Sequence, residues 1–331
     1  MTIDWAPLAD LIETHDRFLV TTHVRPDGDA LGSEVGMAGL LRQKGKDVRV
    51  VNASPTPPRY DFLDPDKSLF EWFGSAVKPA QLADREVAII LDLSSWNQLG
   101  DMAEFIRRFP GPRAIIDHHV SQDDLGATVF KDSTAEATGM LVMNAIPALG
   151  GQLTPEIAQG LLTAIAMDTG WFHHSNTRSG TMRAVAELID AGARIDEIYR
   201  RLFEQNTMSR LKLIGETLRG LKTDLNGRVA YATISKDDLL KTGAIPQNSE
   251  DLVDYTVSMR GVELGLLFIE QLRGGAKVSI RTRAGIDCAA LAAQFGGGGH
   301  KEAAGATLNG SMTECVERVL QAARLTLGAG P

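Results

Sequence analysis

Near the N-terminus the stretch "THVRPDGDALGS" crowds His23, Asp27 and Asp29 into one short segment. Like charges placed so close repel one another unless something positive lies between them. Further groups of the same kind recur downstream. Asp92 closes the apolar run "VAIILD", Asp117, His118 and His119 close "AIIDHH", and Asp168 interrupts the apolar helix "LLTAIAMDTGWF". Taken singly, most have a plainer use. Asp29 would cap a helix starting near Ala30, Asp92 and Asp117 would sit in turns after strands, and His118 would be a structural histidine. Asp168 is harder to dismiss, because an unpaired charge on an apolar helix is costly. Together, four carboxylates and the histidines would have to meet by independent accidents. Two divalent ions supply about four positive charges, enough to balance Asp27, Asp29, Asp92 and Asp168. Oxygen-rich donors with some imidazole suit Mn²⁺, with Mg²⁺, Co²⁺, Fe²⁺ or Zn²⁺ as alternatives. Two such ions about 3.5–4 Å apart activate water and stabilise charge on a phosphoryl group, so hydrolysis of a phosphate ester is the implied reaction.

The elements that must position these groups alternate in type. "RFLVTT", "KDVRVV", "REVAIILDLSS" and "PRAIIDHHV" read as nearly continuous apolar strands. "ALGSEVGMAGLLRQKG", "AEATGMLVMNAI", "TPEIAQGLLTAIAMD" and "SGTMRAVAELIDAG" carry apolar residues at helical spacing. That alternation predicts a parallel sheet covered on both faces. In such sheets ligands bind beyond the carboxyl ends of the strands, which is where His23, Asp27, Asp29, Asp92 and Asp117 to His119 fall. Gly28 is expected to let the chain turn between two candidate ligands, and Gly32 to let the next helix pack closely. A charged helical stretch follows, and beyond it "GRVAYATIS", "VELGLLFIEQL" and "AKVSIRTR" read as strands, "DCAALAAQF" and "TECVERVLQAARLTL" as helices. The expected organisation is an α/β domain over 1–192, a helical linker over 193–224 and a smaller α+β domain over 225–331.

That second domain has its own candidates. "GGGGH", from Gly296 to His300, lacks side chains at four positions, so the backbone N–H groups of Gly297, Gly298 and Gly299 could cradle an anion beside His300. A flexible turn is the alternative for the loop read alone. A dinucleotide frame starting at Gly296 meets Lys301 where its last glycine belongs, so this is not that fingerprint. Arg281 is the favoured phosphate clamp through its bidentate fork, with Arg283 further along the same strand face. Arg260 faces either a cleft or an exposed turn, and His173 and His174 either a substrate entrance or solvent.

The 331 residues carry a net charge of −8, which argues against long duplex DNA as a partner. Cys288 and Cys315 are the only cysteines and form no CxxC pair, so buried thiols are expected rather than a disulfide or zinc framework. No apolar run approaches the ~20 residues of a bilayer span, and no basic-then-apolar leader opens the chain. A cytoplasmic protein with no membrane partner is expected.

"HVRPDGDALGS", "LDLSS", "DHH" and "AMDTGWF" resemble, in order, the four motifs of the DHH phosphoesterases. "SIRTR" followed by "FGGGGHKEAAG" resembles the DHH-associated C-terminal domain. The layout looks most like the nano-RNase subgroup, often active on both short oligoribonucleotides and 3′-phosphoadenosine-5′-phosphate (pAp). The resemblance implies a parallel-sheet DHH domain joined by a helical linker to a smaller α+β domain, with the active site in the cleft between them. It implies that His23 and Asp27 bind one metal, that Asp29, His118 and Asp168 bind the other, and that Asp92 bridges. Asp117 would orient a ligand from behind, and His119 would face the scissile phosphate. Arg25 keeps an open role. The implied enzyme is a manganese-dependent hydrolase of short RNA or nucleotides, with cyclic dinucleotides or their linear products as alternative substrates and a homodimer left open. "FGGGGHKEAAG" argues against a family II pyrophosphatase, and the absence of further domains against a long-strand exonuclease of the RecJ kind. A non-catalytic nucleotide-binding regulator would be expected only if a metal ligand were missing.

Overall fold

The computed structural model describes residues 3–120, 122–271, 274–299 and 301–328. The chain divides into two compact units, Met1–Gln205 and Asn206–Pro331.

The first unit is built on β1 (Arg17–Thr21), β2 (Asp47–Asn52), β3 (Phe70–Trp72), β4 (Val87–Leu91), β5 (Arg113–Asp117) and β6 (Thr128–Lys131). Every neighbouring pair is parallel, in the order β3-β2-β1-β4-β5-β6. Side chains alternate across the sheet. Phe18, Val20, Ile89 and Leu91 enter one core with helices Gly28–Gln43, Thr138–Ala148 and Pro155–Asp168. Leu19, Ala88 and Ile90 enter the opposite core with helix Met102–Arg108. Burial on both faces explains why β1 and β4 are apolar throughout rather than alternating. The strand order reverses between β1 and β4, which makes that point the crevice where a ligand fits.

Helix Gly28–Gln43 is packed on all sides over its first three turns. A Cβ on Gly32 would stand 2.2 Å from the Gly160 carbonyl oxygen, so only glycine allows the helix Pro155–Asp168 to approach this closely. Gly28 is not a turn residue. It is already helical, and packing demands it, since a Cβ there would lie 2.4 Å from Met167 Cγ.

The second unit orders its strands β7 (Lys222–Asp224), β8 (Val229–Ile234), β9 (Leu264–Glu270), β10 (Ala276–Thr282), β11 (Gly298–Gly299) and β12 (Ala303–Leu308) as β11-β12-β10-β9-β8-β7. Only β8 and β9 run parallel; the other pairs are antiparallel. Helices Cys288–Ala293 and Met312–Gly328 close one face over Phe268, Val278 and Ile280. Helices Met208–Arg219 and Lys236–Thr242 close the other over Ala232, Ile234 and Leu267. Cys288 and Cys315 are free and buried.

The 193–224 stretch contains two helices, each packed within its own unit. Ile198 of Ile195–Phe203 lies in the first core and Leu213 of Met208–Arg219 in the second. Among the described residues no helix is long and apolar enough to cross a membrane.

Candidate metal centre

Three chain segments deliver the acidic and imidazole groups to the carboxyl ends of β1, β4 and β5, and the end of a helix supplies a fourth. After β1 the chain runs through His23 to Asp27, which caps helix Gly28–Gln43 by accepting the Asp29 and Ala30 N–H groups at 3.0 and 3.1 Å. The cap is therefore Asp27 and not Asp29. Asp29 points inward, where it is fully buried and accepts the N–H groups of Thr138 (2.7 Å) and Gly139 (2.9 Å). It thus sits on the positive end of helix Thr138–Ala148, a favourable place for a carboxylate.

Asp92 follows β4 with a φ of +60°, a left-handed backbone that aspartate tolerates better than most residues. Its carboxylate accepts the Thr138 hydroxyl at 2.9 Å. Asp168 does not interrupt its helix but ends it, and its carbonyl accepts from Asn176 Nδ2 at 3.1 Å. Its side chain remains partly exposed, which removes the burial cost expected from sequence.

These side chains form three groups, of which Asp92, His118 and His119 make one that shares a residue with each of the other two. His23, Asp27 and Asp92 each offer one donor atom within 4.8 Å of the others, and so do Asp29, His118 and Asp168. His23 Nε2 lies 3.4 Å from Asp92 Oδ2 and 3.9 Å from Asp27 Oδ1. His118 Nε2 lies 3.2 Å from Asp168 Oδ2 and 3.7 Å from both Asp29 Oδ2 and Asp92 Oδ1. Asp92 thus faces both groups, one oxygen toward each histidine. The outer ring nitrogens are fixed by backbone: His23 Nδ1 bonds the Val24 carbonyl at 3.0 Å and His118 Nδ1 that of Ala135 at 3.2 Å. With Nδ1 engaged by a carbonyl, each ring turns its Nε2 toward the carboxylates, the usual orientation of a metal-binding imidazole.

The electrostatics favour a cation at this point. Burial first, then the Asp92 and Asp168 carboxylates, push Asp29 well above the usual carboxylate range. Burial, then Asp27 and Asp168, do the same to Asp92. Burial alone would lower His118, but its bond to Asp168 and the charges of Asp29 and Asp92 hold it up at about 10. In the metal-free protein the imidazole proton supplies positive charge that the carboxylates otherwise lack. Divalent cations would supply it more fully, and the donors, oxygens with two ring nitrogens, are of the right kind.

His119 and Asp117 stand apart in purpose. Asp117 is fully buried; its Oδ1 accepts His119 Nδ1 at 2.8 Å and the His119 N–H at 3.1 Å. Its Oδ2 meets the Ser94 hydroxyl and, at 3.1 Å, Lys131 Nζ. Burial opposes ionisation, but the bonds from His119 and Ser94 prevail and hold Asp117 below the usual range. The Asp117 bond in turn raises His119. His119 Nδ1 also comes within 3.7 Å of Asp92 Oδ1, but the shorter bond commits that nitrogen to Asp117.

Thr138, Ser94 and Lys131 were not among the sequence candidates. Thr138 opens an apolar helical run after "AEA", a helix-start signal that marks it in retrospect. Ser94 and Lys131 carry no local pattern.

In the second unit Arg281 projects from β10 between buried Ile280 and Thr282, with Nε 3.4 Å from Asp254 Oδ1. Arg283 lies beyond the strand end and is exposed, as is Arg260 in a turn. Gly298 and Gly299 are not a free loop but a short strand paired with Gly305 and Ala304. Gly297 is required by packing, since a Cβ would lie 2.2 Å from the Gly305 carbonyl, whereas a Cβ on Gly298 would meet nothing within 4 Å. His300 lies outside the described residues. Arg25 has a φ of +55° and donates its N–H to Ser54 Oγ, while His173 and His174 are exposed.

Strand order and donor set together define a class: an α/β protein whose switch-point crevice gathers acidic and imidazole groups that could hold a metal ion. The chain belongs to the DHH family. Residues 17–165 match the DHH family N-terminal domain and residues 226–329 the DHHA1 domain. It is 33% identical over 308 residues to the bifunctional oligoribonuclease and PAP phosphatase NrnA of Thermus thermophilus, covering 92% of this chain and 88% of the relative. The enzyme of the same name from Bacillus subtilis is 26% identical over 303 residues, covering 90% and 91%. A crystal structure of an exopolyphosphatase-related protein from Bacteroides fragilis superposes with a TM-score of 0.92 at 26% identity, covering 97% of this chain and 96% of that one.

Proposed function

We propose that this chain is a divalent-metal-dependent phosphoesterase that hydrolyses short oligoribonucleotides and pAp. The observation that carries the reading is the paired donor set: His23, Asp27 and Asp92 on one side, Asp29, His118 and Asp168 on the other, with Asp92 common to both. Curated relatives of matching length named for these two activities support the substrate class.

Two cations held by these six residues, Mn²⁺ best suiting the donors, would supply positive charge at the phosphoryl group and a water of lowered pKa. The protein's own groups do the rest. Asp29, fixed by two N–H bonds, and Asp92, fixed by Thr138, hold the donor geometry rigid. Asp117 keeps His119 oriented and favours its protonated form, so that Nε2–H can donate to a phosphoryl oxygen or to the leaving group. In the second unit, Arg281 and the backbone of Gly297 to Gly299, with His300, would hold another phosphate of the nucleotide. Asp254 pairs with Nε of Arg281, so a bound phosphate would share the guanidinium with it.

A panel of pAp, a diribonucleotide, a long RNA strand, a cyclic dinucleotide and pyrophosphate, assayed with Mn²⁺, tests the reading. Turnover is expected on the diribonucleotide and pAp. Preference for the cyclic dinucleotide would favour the alternative substrate class. No metal-stimulated turnover on any of them would refute the proposal.

A further inference from the structure

Glu34 is a charged residue to which the chemistry above gives no task. It lies on helix Gly28–Gln43 and is wholly buried. One carboxylate oxygen accepts Asn52 Nδ2 at 2.8 Å; the other, Oε1, has no partner among the described residues. Asn52, the last residue of β2, in turn accepts the Thr22 N–H at 3.1 Å. The Thr22 hydroxyl donates to the Leu91 carbonyl at 2.8 Å. This polar chain crosses β2, β1 and β4 at their carboxyl ends, on both sides of the switch point. Its last two members immediately precede His23 and Asp92 in sequence.

Buried polar groups of this kind are costly when a partner is lost, and apolar residues of similar shape would pack as well. Such a chain does hold two strand ends at a fixed separation, which apolar contacts specify less sharply. We propose that Glu34 is a positioning residue: through Asn52 and Thr22 it sets the spacing of His23 and Asp92, the two side chains from separate strands that share one cation. The proposal rests on the metal-binding reading of that pair. Burial pushes the Glu34 carboxyl up to about 8, against the Asn52 bond and the nearby His23, so near neutral pH it is an uncharged acid. It therefore acts as an oriented hydrogen-bonding group and not as one more negative charge beside the cluster.

The test compares Glu34→Gln, Glu34→Leu and Thr22→Val in the full chain. Calorimetric titration with Mn²⁺ is one readout, and the ring ¹H–¹⁵N signals of His23 in the metal-free protein are the other. Glutamine keeps the acceptor for Asn52 and is expected to behave like the native residue in both. Leucine is expected to weaken Mn²⁺ binding several-fold, less than the roughly 10–100-fold cost of losing a group bonded directly to a metal ligand, and to shift the His23 signals. Thr22→Val breaks the link to Leu91 with little change of shape, and should move both readouts in the same direction. A folded Glu34→Leu with native affinity and unmoved His23 signals would overturn the proposal. A glutamine variant as impaired as leucine would overturn it too. If the native protein binds no Mn²⁺, the metal-binding reading falls instead, and the metal-free His23 signals still decide whether Glu34 positions that ring.

Discussion

In the first unit, charge is buried; in the second, the residues considered for ligand contact stand largely in water. Asp29, Asp92 and Asp117 are almost completely hidden, whereas Arg283, Gly298 and Gly299 are exposed and Arg281 is partly so. Burying like charges raises the energy of the fold until a counter-charge arrives. The metal-free first unit therefore holds a cost that a cation removes, and its fold and its chemistry cannot be varied separately. The second unit carries no such strain. Substitution of Arg281 there should change substrate affinity and leave the fold alone.

Asp92→Asn breaks this contrast most severely. Asparagine tolerates the left-handed backbone at this position but takes away the charge facing both groups. Phosphoesterase activity is expected to fall by more than about 100-fold, beyond the cost of losing a mere outer partner of a ligand. The metal-free variant should nevertheless melt at a higher temperature than the native protein, because one of the mutually repelling carboxylates is gone. A lower melting temperature would show that the hydrogen bonds and packing of Asp92 outweigh the repulsion it suffers.

Glycine substitutions sharpen the same comparison through packing. Gly32→Ala drives a methyl onto the Gly160 carbonyl and should cost about 1–3 kcal/mol of stability in urea unfolding. Gly298→Ala meets nothing, and its effect should stay within about 0.5 kcal/mol. Arg281→Ala should raise KM for a diribonucleotide by about tenfold, the worth of one charge-assisted bond. Mn²⁺ affinity should be unchanged; a parallel loss of metal binding would mean that the two units do not divide the labour as described.

The last comparison concerns pH. Unfolded Glu34 releases its proton near 4.5, while the folded protein keeps it to about 8. Between those values the native state binds the extra proton, so this group makes stability fall as pH rises. Glu34→Gln removes that share of the slope. Urea melts at pH 5 and pH 8 in the presence of a chelator should show the variant gaining on the native protein at the higher pH.

Much of the first unit could be read before any coordinates, because doubly buried parallel strands leave long apolar runs that end abruptly at polar residues. The parallel sheet, and the rule that ligands collect at carboxyl ends, place His23, Asp92 and His118 on one edge. What escaped was local. β3 and β6 are only three and four residues long, too short for any periodicity to register. Asp27 and Asp29 are two residues apart, and nothing in the sequence says which of them caps its own helix and which reaches across to the helix beginning at Thr138. The Glu34–Asn52–Thr22 chain joins residues far apart in sequence, so no motif contains it. Gly298 and Gly299 read as a loop because a glycine pair has no strand propensity, yet pairing with β12 makes them an edge strand.

At the centre of the proposed chemistry, one acidic and imidazole cluster holds two cations with Asp92 common to both. Titration of the full chain with Mn²⁺, followed by electron paramagnetic resonance, tests this most directly. Two tightly bound ions per chain with an exchange-coupled spectrum are expected, and loss of that coupling in Asp92→Asn. A single bound ion, or two with uncoupled signals in the native protein, would contradict it.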